Sequence, residues 1–241
     1  MSPSSTGEHI IKDYDTELRR LQGEIQQMGA MATQQLDAAI AAVQKRDDEA
    51  AHRVVEADAR IDAMENELSH DVVRLLALRQ PMARDLREVL AALRIAADIE
   101  RIGDYAANVA KRSLALNQTI PVPLAGSLPR LASLATALVR DVLAAYHDED
   151  ADLALAARDR DEELDRAYTG LFRELLTYMM EDPRTITPCT HLLFIAKNIE
   201  RIGDHATNIA ENVYFLVHGT QVGQDRPKRD ATPALVVDDP R

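Results

Sequence analysis

The sequence predicts an all-α protein: two pseudo-symmetric three-helix bundles made of six long antiparallel helices. Three observations lead there. Alanine occurs 37 times in 241 residues, with no Trp and only nine aromatics. Strands draw on β-branched and aromatic side chains, whereas Ala, Leu, Arg and Glu favour helix. Prolines are absent from 4–80, 82–120, 130–182 and 189–226, and an interior helical proline costs about 3 kcal/mol. Finally, the chain repeats itself at an offset of 100 residues, which makes the second half a copy of the first.

The helices follow in order. Leu18, Leu21, Ile25, Met28, Ala32, Leu36, Ile40 and Val43 step by threes and fours, the apolar stripe of a bundle helix over about 13–46. Lys45-Arg46-Asp47-Asp48-Glu49 suits an end followed by a start, since bases favour a C-terminus and acids an N-terminus. A second helix is expected over 49–79 and a third over 82–118. A fourth covers 128–146, a fifth 150–181 after the acidic break His147-Asp148-Glu149-Asp150, and a sixth 186–218. Pro81, Pro129 and Pro188 are expected near first turns, where a missing N–H does no harm. Short connections imply antiparallel neighbours. The first bundle then spans 13–118 and the second 119–218. Residues 1–12 read as a flexible extension and 219–241, with three prolines and mixed charge, as a disordered tail.

Composition excludes several classes. Lys and Arg number 28 against 40 Asp and Glu, a net charge of −12. Such an acidic chain is unsuited to non-specific binding of nucleic acid or anionic membrane. Cys189 is the single cysteine, which leaves no internal disulfide and no cysteine-based zinc site. No apolar run approaches the ~20 residues that span a bilayer, and Met1–Asp13 lacks a signal-peptide core. A soluble cytoplasmic protein is expected.

The repeat carries the chemistry. Leu93–Ala110 aligns without gaps on Leu193–Ala210, identical at twelve of eighteen positions. Packing explains repeated Leu, Ile and Ala. It does not explain the repeated polar residues Glu100/Glu200, Arg101/Arg201, Asp104/Asp204 and Asn108/Asn208. Gly103 and Gly203 cost about 1 kcal/mol each in mid-helix relative to alanine, so close helix approach or room for a ligand must require them. Glu100 and Asp104, like Glu200 and Asp204, are four apart and share a helix face; Asn108 and Asn208 extend it. The preceding helix of each half adds Asp58 and Asp62, or Asp161 and Asp165, at an offset of 103. Four facing carboxylates repel one another and raise one another's pKa. A hard divalent cation relieves that repulsion.

Rival readings are narrower. Arg101, Arg201, Arg60 and Arg166 would turn the acids into surface ion pairs. Glu49/His52 and Glu67/His70 fit the Glu-x-x-His string of a di-iron oxidase, but both fall on one helix, ~27 Å apart, and neither recurs in the second half. His205 aligns with Tyr105, so a symmetric histidine ligand is not expected. Cys189 beside Pro188 lacks a partner histidine and reads as structural. Gly-x-Ser-x-Gly, Walker A and Gly-x-Gly-x-x-Gly are all absent. A non-enzyme is expected, with a metal-dependent phosphohydrolase or oxidase as the alternative.

Two copies of Glu-Arg-Ile-Gly-Asp-x-x-x-Asn, one closing each half of an all-helical chain, resemble the PhoU family of phosphate-signalling regulators. Met28-Gly-Ala-Met31 with Gln34-Gln-Leu36, Arg79-Gln-Pro81 with Asp85-Leu-Arg87, and Thr177-Tyr-Met-Met-Glu-Asp182 also look like it. The likeness covers about 10–218. It implies a pair of three-helix bundles and metal on carboxylate pairs from two helices of each. Carried over by position, the ligands are Asp58, Asp62, Glu100 and Asp104, then Asp161, Asp165, Glu200 and Asp204, with Arg101, Asn108, Arg201 and Asn208 in support. The metal is expected to be Fe, Mn, Mg or Zn. The resemblance further implies a homodimeric cytoplasmic adaptor. It would link a Pst-type phosphate ABC transporter ATPase to a membrane sensor histidine kinase and hold phosphate uptake and the starvation response down.

Overall fold

The structure, a computed structural model, describes residues 5–79 and 81–223. Among them run six α-helices: α1 (Ser5–Lys45), α2 (Asp48–Arg79), α3 (Arg84–Asn117), α4 (Leu128–Asp148), α5 (Ala151–Glu181) and α6 (Ile186–His218). Short 3-10 turns, Pro123–Ser127 and Pro183–Thr185, lead into α4 and α6. There is no strand among the described residues. Helix α1 begins at Ser5 rather than at residue 13. Neither proline nor glycine lies between Glu8 and Gln22, so nothing in that stretch stops the helix. Residues 1–4 of the expected extension and 224–241 of the expected tail lie outside the described residues.

The breaks inside the proline-free stretches are built twice in the same way. Arg46 and Glu149 take φ of 54° and 51°, left-handed turns that end α1 and α4. Asp47 and Asp150 then cap the next helix, their Oδ1 atoms accepting from the N–H of Ala50 and Leu153, each at 2.9 Å. Such caps satisfy orphan amides and contribute about 1 kcal/mol each. Pro129 and Pro188 do sit in first turns. Pro81 does not: Ala83, with φ 51° and ψ −111°, precedes a helix that starts only at Arg84.

Each half is a three-helix bundle, α1–α2–α3 and α4–α5–α6, and the halves join through α1 on α4 and α3 on α6. The α1 stripe of Leu21, Ile25, Met28, Ala32, Leu36, Ile40 and Val43 is buried, and the two bundles share one continuous core. Across the α1–α4 seam, Gln26 Nε2 donates to the Leu143 carbonyl at 2.8 Å and Gln22 Nε2 to that of His147 at 3.0 Å. Residues 87, 98 and 112 of α3 meet 216, 205 and 194 of α6, so those helices run antiparallel.

Glycine governs the approach within each half. A Cβ on Gly203 would collide with Asp161 Oδ1 and Leu164 Cδ2, whereas one on Gly170 would meet nothing within 4 Å. Gly203→Ala is therefore expected to cost about 1–3 kcal/mol by overpacking. Gly170→Ala, in mid-helix, is expected to gain about 0.5–1 kcal/mol. Urea denaturation of the two variants checks both signs.

Candidate metal centre

In the first half, α2 and α3 lie side by side, and Gly103 is what lets them close. A Cβ there would stand 3.0 Å from Ile61 Cδ1 and 3.3 Å from Asp58 Oδ1. The space it leaves is taken by the Asp58 carboxylate. One oxygen each of Asp58, Asp62 and Asp104 lie within 4.8 Å of one another, a spacing that one cation can span. Asp58 is only 8% exposed. Gln35 reaches in from α1, its Nε2 donating to Asp58 Oδ1 at 2.9 Å and to the Gly103 carbonyl at 3.3 Å. All three helices of the bundle thus contribute to one spot.

The electrostatics are those of a partly compensated cluster. Burial pushes the Asp58 carboxyl above its ordinary pKa. The charges of Asp62 and Asp104 add to that, against the Gln35 hydrogen bond and more distant Lys111. Glu100, partly buried on α3, is raised by burial first and then by Asp104, with Arg101 opposing. Arg101 accounts for part of the ion-pair reading: it lies 3.0 Å from Asp104 Oδ2 and 3.4 Å from Glu100 Oε2. Exposed itself, Arg101 pairs with the half-buried Asp104 of the trio. Glu100 stands beside the cluster rather than within the closest three.

The second half is not a copy. Asp161, Asp165 and Glu200 are buried, at 2%, 7% and 4% exposure, and Asp204 is half-buried. Lys197 Nζ lies 2.8 Å from Glu200 Oε1 and 5.1 Å over the Tyr168 ring. The repeat places Ala97 and Glu65 at those positions of the first half. Here the protein supplies its own cation. Among the described residues, the group of three spaced for an ion is Asp58, Asp62 and Asp104.

Other candidates resolve plainly. His205 Nδ1 lies 2.8 Å from Asp98 Oδ1 across the seam, with Tyr105 against its ring at 5.5 Å. Asn208 also turns to Asp98, at 3.2 Å. Asn108 is half-buried on α3. Arg201 stacks over Tyr105 at 5.7 Å, and Arg166 lies by Glu162 at 3.8 Å. Glu49, His52, Glu67 and His70 are on α2, with both glutamates and both histidines exposed. Cys189 is buried, and burial raises its thiol pKa, the opposite of an activated nucleophile. Sequence reasoning missed Gln35 and Lys197. The mismatch of Ala97 with Lys197 inside an otherwise dense repeat was the available signal.

The fold and this site define a class: an all-helical scaffold with a cluster of three carboxylates close enough for one cation to span and no assembled nucleophile–base pair among its described residues. The particular family follows from comparison. The PhoU domain matches residues 25–113 and 128–213, and the chain belongs to the PhoU family. It is 60% identical over 230 residues to a phosphate-specific transport system accessory protein PhoU homolog of Xylella fastidiosa, covering 95% of this chain and 97% of that one. A homolog of the same description from Rhizobium meliloti is 49% identical over 228 residues, covering 94% and 96%. The crystal structure of PhoU from Pseudomonas aeruginosa superposes with a TM-score of 0.82 at 38% identity, covering 86% of this chain and all of that one. The Xylella and Rhizobium relatives are named as accessory proteins, not as enzymes.

Asp58 supplies a pH prediction. A carboxyl whose pKa is raised by folding favours the fold below its ordinary range, and that contribution is lost as pH rises through the folded value. Asp58→Asn keeps an oxygen for Gln35 but removes the charge. In chelator, the variant is expected to exceed the native protein in Tm at pH 8. The advantage should shrink as pH falls through the raised folded value of Asp58 toward the ordinary carboxylate pKa of about 4. Thermal melts across pH check it.

Proposed function

We infer that this protein is a cytoplasmic regulator of phosphate transport, a metal-binding adaptor rather than a catalyst. It restrains phosphate uptake and the starvation response by joining a phosphate ABC transporter ATPase to a membrane sensor kinase. The trio of Asp58, Asp62 and Asp104 is the observation that carries the metal part of this reading. The named role of close relatives in phosphate-specific transport carries the rest. No helix among the described residues is long and apolar enough to cross a membrane, so contact with a transporter has to come through helix faces and loops.

The donor set fits a hard divalent ion such as Mg²⁺ or Mn²⁺, and iron or zinc are the other candidates. Asp58, Asp62 and Asp104 would hold it, with Glu100 one turn before Asp104 on the same face as a further oxygen donor. Gln35 fixes the Asp58 rotamer and leaves its second oxygen for the ion. When bound, the metal supplies charge neutralisation and ties α2 to α3. In the second half Asp161, Asp165, Glu200 and Asp204 form the corresponding set, and there Lys197 competes with any ion for Glu200. The first half is the preferred site on this reading.

Two measurements test it. A metal that binds the fold and not the unfolded chain adds about 2.7 kcal/mol at a hundredfold excess over Kd. Mn²⁺ is expected to raise Tm in the native protein and not in Asp62→Asn/Asp104→Asn. An unchanged Tm in both removes the metal from the proposal. Recovery of the transporter ATPase or the sensor kinase with the tagged protein from phosphate-replete cells supports the adaptor; recovery of neither overturns it.

A further inference from the structure

The two acid clusters differ in how far they are closed. Asp161, Asp165 and Glu200 are buried, whereas Asp62 and Glu100, counterparts of the last two, are half-buried. The helices also stand closer in the second half. A Cβ on Gly203 would overlap Asp161 Oδ1, where one on Gly103 would stand 3.3 Å from Asp58 Oδ1. Burying acids more deeply raises their need for compensation. Yet among the described residues the three acids spaced for one ion lie in the first half. Asp161, Asp165 and Asp204 each keep a partner within the chain.

Three substitutions between the halves account for the difference. Lys197 replaces Ala97, Tyr168 replaces Glu65, and Leu138 of α4 stands at the offset of 103 from Gln35. The ammonium of Lys197 lies 2.8 Å from Glu200 Oε1, one turn away on α6. Beneath it, at 5.1 Å, is the ring of buried Tyr168, which is itself packed on Phe172 at 6.2 Å. The cation is thus held by a carboxylate and an aromatic face together. The arginines do not distinguish the halves, since Arg101 and Arg201 are both exposed.

We propose that the Lys197 ammonium is the resident cation of the second half, so that the chain takes one divalent ion, in the first half, rather than two. An ammonium has no lone pair to offer a metal and repels a dication beside it. The family resemblance implies a metal in each half; with Lys197 in place the second donor set does not fit one. This deepens the metal reading, and rests on it for the first-half ion alone.

The test counts Mn²⁺ bound to the full chain after chelator stripping, by loss of the free-ion electron paramagnetic resonance signal. Lys197→Met keeps an unbranched stem over Tyr168 and removes the charge; Lys197→Arg keeps a charge. The native chain and Lys197→Arg are expected to bind one ion and Lys197→Met two. Asp62→Asn/Asp104→Asn is expected to bind none, and one when Lys197→Met is added. Two ions in the native chain, one of them surviving Asp62→Asn/Asp104→Asn, overturn the proposal. So does a second ion in Lys197→Arg, or no gain on Lys197→Met in either background. Should Lys197→Met lose its helical circular dichroism in chelator, Mn²⁺ is expected to restore it, and failure to do so also overturns the proposal. No ion in the native chain with one in Lys197→Met supports the lysine's role and removes the first-half metal instead, so the two failures are told apart.

Discussion

A carboxylate withdrawn from water must find compensating charge or hydrogen bonds, and the close approach of α2 to α3 makes that demand acute. Gly103 omits the one carbon that would hold the helices apart, and Asp58 fills the gap with a group that is expensive to bury while ionised. Gln35 returns one hydrogen bond. Asp62 and Asp104 make matters worse. A sequence selected for stability alone would place an alanine–leucine contact here. The raised pKa of Asp58 reflects that cost, and shifts of this kind cluster at functional sites.

The same fold answers the same problem in two ways. The second half retains the glycine and the four acids, then adds Lys197 beside Glu200 and a Tyr168 ring beneath the ammonium. A lysine is a fixed cation, present whatever the metal supply. The first half has Ala97 and Glu65 at those positions, and its compensation comes from the exposed Arg101 at Asp104 and Glu100 and from Gln35 at Asp58. Duplication followed by this divergence yields one half with a lysine at its buried glutamate and one whose acids are met by an exposed arginine.

Much of the fold was legible because its signals are local. The α1 stripe, the proline positions and the acidic starts of α2 and α5 each specify structure within a few residues. Asp47 and Asp150 are caps that the sequence announces by an acid following a base or another acid. The start of α3 was less legible, since the left-handed Ala83 is a residue type that gives no warning of positive φ. The site was half legible. Spacing of four places Asp58 with Asp62 on one face, but whether a facing arginine or an acid sits opposite depends on helix rotation, which spacing does not encode. Gln35 was invisible for that reason, since a glutamine on a third helix joins the site only through tertiary packing. The shared core of the two bundles also required the structure, because the α1–α4 and α3–α6 faces look like ordinary apolar stripes.

That shared core bears on what a cation could do. Helix α3 carries Asp104 toward α2, and one and a half turns away it carries Asp98 toward His205 and Asn208 of α6. A helix interior is stiff, so α3 cannot shift at one site and stay fixed at the other. Drawing Asp104 toward an ion pulls on the same rod that holds the Asp98 contacts, and the antiparallel pairing passes the displacement to the helix bearing Glu200 and Asp204. The two acid clusters thus stand on helices packed against each other, and among the described residues the group spaced for an ion is Asp58, Asp62 and Asp104. In a protein whose relatives are named as accessories to transport, α3 and α6 are the elements shared by both acid clusters and by the seam between the bundles.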